Sequence, residues 1–130
     1  MAHTILVVDD DEDIRAIARQ GLATRGYVAL ETGDPHEAIR IAKEQRIDLL
    51  LTDVIMPIMK GTELADRVEA VSPSTKVLLM SGYLTSDFAG SGRHFMAKPF
   101  SIDDLARRVR DTLDRPSSFA RSPKAPPASL

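Results

Sequence analysis

Five side chains stand at the ends of short strand-like runs and could do chemistry together: Asp9 and Asp10 after 5–8, Asp53 after 49–52, Ser81 after 76–80, and Lys98 after 93–97. If those ends meet, the three carboxylates repel one another unless a cation sits among them. Hard oxygen donors select magnesium, which takes one or two carboxylates, keeps several waters and accepts a phosphate oxygen. A carboxylate beside that ion can attack an activated phosphoryl group and form an acyl phosphate. The ion and the Lys98 ammonium would neutralise the phosphoryl oxygens, and the Ser81 hydroxyl would donate to a third.

The elements that must bring these residues together follow from hydrophobic periodicity. Runs at 4–8, 28–32, 49–52, 76–80 and 93–97 read as strands, separated by helix-periodic segments. The first helix is expected over 11–24 with Ile14, Ile17, Ala18 and Leu22 on its inner stripe, closing at Gly26. Asp34 and Pro35 open a second that buries Ala38, Ile39 and Ile41 or Ala42. A third spans about 62–70, before Pro73. The last opens on Ser101 with Asp104 three residues on, a variant of the capping box, and turns Leu105, Val109 and Leu113 inward. Alternating strands and helices predict a parallel sheet with right-handed crossovers and helices on both faces. Ile5–Val8 and 49–51 are apolar on successive residues, as strands covered on both sides must be. In such a sheet the carboxyl ends of the strands share one edge, where ligands bind.

Composition narrows the alternatives. The 130 residues make one domain, and 43% apolar with 28% charged residues is ordinary for a globular chain. A net charge of -2 argues against the basic face that direct nucleic-acid binding needs. The chain has no cysteine, hence no disulfide and no cysteine zinc site, and no apolar stretch of bilayer-spanning length. No membrane association is indicated, and a cytoplasmic location is expected. His3, His36 and His94 lack the spacing of a metal site and read as surface residues. Asp11, Glu12 and Asp13 read as acids favoured by the dipole at a helix N terminus.

Four blocks in order, Ile5-Leu6-Val7-Val8-Asp9-Asp10-Asp11, Leu51-Thr52-Asp53-Val54-Ile55-Met56-Pro57 with Gly61, Ser81-Gly82 and Lys98-Pro99-Phe100, resemble the receiver domains of two-component response regulators. The resemblance covers about 4–114. It implies a flavodoxin-like α/β fold, a five-stranded parallel sheet of order 2-1-3-4-5. It further implies a switch, not a turnover enzyme: Asp53 is the phosphoacceptor, charged by a histidine kinase or histidine phosphotransfer protein, and an unidentified downstream protein is regulated. Asp10 and Asp53 would hold magnesium directly, Asp9 mainly through water, and the Ile55 carbonyl would complete the protein ligands. Ser81 and Lys98 would bind the phosphoryl group, with Ser81 and Phe95 as switch residues.

Three features depart from the common receiver pattern. Lys60 stands where the family more often has an acidic or polar residue, at the edge where kinase contacts are made. Sixteen residues separate Ser81 from Lys98, and Gly90-Ser91-Gly92 interrupts them, so the fourth helix is expected to be short or frayed. That speaks against a conventional dimer on the face of fourth helix, fifth strand and fifth helix. With the receiver over 1–115, residues 116–130, rich in Pro, Ser and Ala, read as a disordered tail or linker with no output domain after it. Met80-Ser81-Gly82-Tyr83 and Lys98-Pro99-Phe100 also resemble hybrid histidine kinase receivers, which leaves a free-standing regulator and a piece of a longer kinase both open.

Three rival readings fit the residues less well. A haloacid dehalogenase-type phosphatase would pair Asp9 with Asp11, but Asp13 stands where a small apolar residue or Thr is wanted. A flavin-binding relative would need a Ser/Thr/Gly-rich phosphate loop where this chain has acids. A receiver-like module that is never phosphorylated would have no need of the intact set of five.

Overall fold

The computed structural model describes residues 2–82 and 93–114. Five strands, β1 (Thr4–Val8), β2 (Val28–Thr32), β3 (Leu49–Asp53), β4 (Lys76–Ser81) and β5 (His94–Ala97), form one parallel sheet in the order β2-β1-β3-β4-β5. Helices α1 (Glu12–Ala23), α2 (Pro35–Glu44), α3 (Gly61–Val71) and α4 (Ile102–Asp114) cover both faces. This is the expected order and fold class. The expected fourth helix and the tail at 116–130 lie outside the described residues.

Side-chain alternation divides the core in two. Ile5, Val7, Leu49, Leu51, Leu78 and Met80 pack toward α1 and α4, while Leu6, Val8, Leu50, Val77 and Leu79 pack toward α2 and α3. The middle strands β1 and β3 are sealed on both faces, and their apolar side chains have no solvent exposure. Each such Leu or Ile contributes about 1.5–3 kcal/mol of burial. Edge strands are wetter: Val28 in β2 is exposed, and β5 buries only Met96 fully.

Local signals place the helix starts. The Asp11 carboxylate accepts from the amides of Asp13 and Ile14, at 2.9 and 3.4 Å, and caps α1. Asp34 caps α2 by accepting from the His36 amide, with Pro35 in the first turn. The Ser101 hydroxyl accepts from the Asp104 amide at 3.0 Å and opens α4. Gly26 takes φ 90° in the turn after α1, where side-chain-bearing residues are strained.

Three expectations need correction. Ile17 is not on the inner stripe of α1 and is 48% exposed. The stripe runs instead through Ala18, Gly21 and Leu22, because α1 approaches α4 so closely at Gly21 that a Cβ there would lie 2.4 Å from Ile102 Cδ1. His94 is half-buried in β5, not a surface residue, because it shares with Met96 the face of the sheet that packs toward α1 and α4. Finally, β3 and β4 each run one residue further than expected, so Asp53 and Ser81 are strand residues and inherit the rigidity of the ladder.

The edge strand β5 is tied to the body by charge. Arg93, just before it, reaches Asp66 at 2.6 Å and Glu69 at 2.7 Å on α3. No helix among the described residues is long and apolar enough to cross a membrane.

Candidate functional site

The carboxyl edge of the sheet gathers the polar residues. Asp9 follows β1 directly, Asp53 ends β3, Ser81 ends β4, and Lys98 follows β5 through a backbone bond from its amide to the Ser81 carbonyl at 2.9 Å. Carboxylate oxygens of Asp9, Asp10 and Asp53 all lie within 4.8 Å of one another. The Lys98 ammonium sits 2.7 Å from Asp9 Oδ2 and 3.4 Å from Asp53 Oδ2. The Lys98–Pro99 peptide is cis. Asp9 is fully buried, Asp53 and Ser81 nearly so, and Asp10 is exposed at the mouth.

The donors around Asp9 divide the labour among the three acids. Its Oδ1 accepts from the Asp11 amide at 2.9 Å and its Oδ2 from Lys98, so both oxygens already have protein partners. Asp53 in turn accepts from the Ile55 amide and lies 3.4 Å from Lys98, which leaves Asp10, exposed at the mouth, as the most open of the three acids to a cation. A set of hard carboxylate oxygens, one of them at an open mouth, fits magnesium, which retains much of its water.

Burial pushes the Asp53 carboxyl above its ordinary range, against the Lys98 cation; the Asp9 charge adds to the push, and the Ile55 amide, donating to the carboxylate, opposes it. For Lys98, burial works downward, but the hydrogen bond and charge of Asp9 and the charge of Asp53 outweigh it and raise the pKa overall. Each group is thus held by the other's charge in a place neither would occupy alone.

The loop after β3 is pressed onto Asp53. The Gly61 amide donates to the Val54 carbonyl at 2.8 Å, and a Cβ on Gly61 would stand 2.0 Å from the Asp53 carbonyl oxygen. Backbone cannot yield as a side chain can. Gly61→Ala is therefore expected to cost about 1–3 kcal/mol in denaturant melts, and to shift Asp53 away from Lys98. An unchanged midpoint would show that the loop relaxes freely.

Ile55, two residues past Asp53, turns its side chain to solvent while its backbone amide donates to the Asp53 carboxylate. Phe95 lies in β5 opposite Leu79, partly buried against the core beneath α2 and α3. Sequence reasoning missed Arg15, whose Nη1 donates to the Asp9 carbonyl at 2.8 Å. An arginine beside a helical stripe carries no signal that separates it from a solvated one.

Comparison with known proteins fits this geometry. The family described as response regulator receiver domain matches residues 5–110. The chain belongs to this family. Its likeness to the sensor kinase CckA of Brucella abortus is 32% identity over 86% of this chain and 13% of the kinase. To sporulation initiation phosphotransferase F of Bacillus subtilis it is 31%, over 87% of this chain and 95% of that protein. Among solved structures, the receiver domain of the hybrid histidine kinase CckA superposes with TM-score 0.75 at 38% identity, covering 85% of this chain and 99% of that one. The chemotaxis protein CheY4 of Vibrio cholerae gives TM-score 0.81 at 25% identity, covering 86% and 99%. The chain spans about half, 53%, of the transcriptional regulatory protein PrrA of Mycobacterium bovis. Receivers are the signalling switches of two-component systems, work with histidine kinases or phosphotransfer proteins, and typically bind magnesium in an acidic pocket.

Proposed function

We propose that this receiver accepts a phosphoryl group on Asp53 from a phosphohistidine donor, in a magnesium-dependent reaction, and changes conformation to regulate a partner protein. One observation carries the reading: the Asp53 carboxylate lies 3.4 Å from the Lys98 ammonium and shares a 4.8 Å cluster with Asp9 and Asp10. An Asp53 oxygen attacks phosphorus as the phosphorus–nitrogen bond to the donor imidazole breaks, and the imidazole keeps that bond's electron pair. Ionised Asp53 is the nucleophile, and Lys98 favours that form in spite of burial. The same ammonium lies where a phosphoryl oxygen on Asp53 would develop charge, and fixed charge there lowers the barrier without reorganisation. Magnesium, held by Asp10 and Asp53 with the Ile55 carbonyl, would supply further neutralisation of the phosphoryl oxygens. Ser81 at the end of β4 is the hydroxyl donor, and Phe95 on the neighbouring strand is the switch aromatic.

The test is phosphoryl incorporation from a purified histidine kinase and from acetyl phosphate, with magnesium and with chelator, read by intact mass. Incorporation in magnesium alone supports the reading, and none under either condition would refute it. Lys98→Ala is expected to slow incorporation about 100-fold, the usual cost of removing one preorganised donor. Whatever phosphoprotein still forms should bind its partner no better than the unphosphorylated chain. A variant that signals normally would remove Lys98 from the mechanism.

A further inference from the structure

We infer that Arg15 is a positioning residue for the acidic site, fixing the Asp9–Asp10 peptide so that both carboxylates face the cation; this rests on the function proposed above. The β1–β2 ladder ends at Val8 opposite Thr32, and the next strand-like bond, from the Asp9 amide to the Thr32 carbonyl, is long at 3.4 Å. The Asp9 carbonyl has therefore run past the sheet that would hold it. Arg15 on α1 takes over, with Nη1 donating to that oxygen at 2.8 Å. Together with the Asp11 amide on Oδ1 and Lys98 on Oδ2, this engages every oxygen of Asp9. A carbonyl fixed in this way also fixes the peptide plane from which Asp10 departs.

The guanidinium is itself held and neutralised. Its Nε donates to Glu31 Oε1 at 2.9 Å, while Arg19 takes Oε2 of the same carboxylate at 2.8 Å. The Arg15 side chain is 19% exposed against 48% for Arg19, so the first is an inner contact and the second a surface one. Gly33 leaves it room: a Cβ there would lie 2.7 Å from Arg15 Nη1. Without Glu31, a bare guanidinium next to the acids would repel the cation they collect. Glu31, although shared with Arg19, offsets part of that charge, so Arg15 acts on the site chiefly through geometry.

Calorimetric titration of magnesium into the full chain tests this, alongside melting in chelator. Arg15→Ala should raise the magnesium Kd about 10-fold, the lower end of what outer-shell partners of metal ligands contribute. Glu31→Gln should raise it less, in the same direction, and Arg15→Lys should fall between wild type and Arg15→Ala, because one ammonium cannot fork between Asp9 and Glu31. Arg19→Ala should keep the wild-type Kd. If Arg15→Ala does not fold, Glu31→Gln and Arg15→Lys decide. A lower melting temperature in chelator with an unchanged Kd would make Arg15 a merely structural residue and overturn the inference. So would an equal loss of affinity in Arg19→Ala, which would put the effect in general charge. If the wild type binds no magnesium, it is the proposed function that fails, and the inference fails with it.

Discussion

Asp53→Asn is expected to reduce phosphoryl incorporation to background, from kinase and small donor alike, while the protein stays folded. The amide keeps the shape of the side chain and fills the same nearly closed space at the end of β3. It has no anionic oxygen to attack phosphorus, so the loss is of chemistry and not of structure. Asp9 cannot substitute, because its side chain is 1% exposed against 11% for Asp53 and an incoming phosphoryl group does not reach it. Asp10 is exposed at the mouth, and among the described residues no ammonium lies against it as Lys98 does against Asp53. Residual stoichiometric labelling of Asp53→Asn, mapped by peptide mass spectrometry to Asp9 or Asp10, would move the acceptor and require another nucleophile. A melting temperature in chelator no lower than that of the wild type would show that any loss is not unfolding.

That Asp9, Asp10, Asp53 and Lys98 meet was legible in sequence because they sit at strand ends, and strand ends of a parallel sheet meet without any detailed packing information. β1 and β3 stand out because burial on both faces demands apolar residues in succession, and Ile5–Val8 and Leu49–Leu51 meet that demand. The signal is weak for β2 and β5, the end strands of the sheet, where the residues needed are mixed in character. Ile17 misled because a helical stripe can be drawn through it as easily as through Gly21; only the approach of Ile102 on α4, 81 positions beyond Gly21, decides between them. Arg15 and Glu31 were invisible for the same reason. Their contact joins α1 to the far end of β2, and it matters only because the Asp9 carbonyl has left its ladder. Periodicity reports which way a side chain faces, not which backbone atom lacks a partner.

Magnesium should raise the melting temperature of this chain, and Asp10→Asn should abolish most of that rise while melting higher than wild type in chelator. The acids approach within 4.8 Å in the fold, whereas the unfolded chain separates Asp53 from Asp9 and Asp10 by more than forty residues. Folding without metal therefore compresses like charge that Lys98, a single cation, offsets only in part. At magnesium about ten times its Kd, mass action stabilises the wild type by roughly 1.4 kcal/mol, on the order of 3–7 °C for a domain of this size. The variant has one charge fewer to compress and one direct ligand fewer to offer. A pH series in chelator adds a second reading. Burial, with the Asp9 charge behind it, raises the Asp53 pKa above its ordinary 3.8, so the unfolded chain releases that proton first as pH rises. The stability contributed by this group is complete below 3.8 and is lost as pH climbs through the higher folded value. Asp53→Asn should flatten that part of the profile. If magnesium leaves the wild type unmoved, or stabilises Asp10→Asn equally, the three carboxylates do not act as one cation site, and the proximity of Asp9, Asp10 and Asp53 has no chemical consequence.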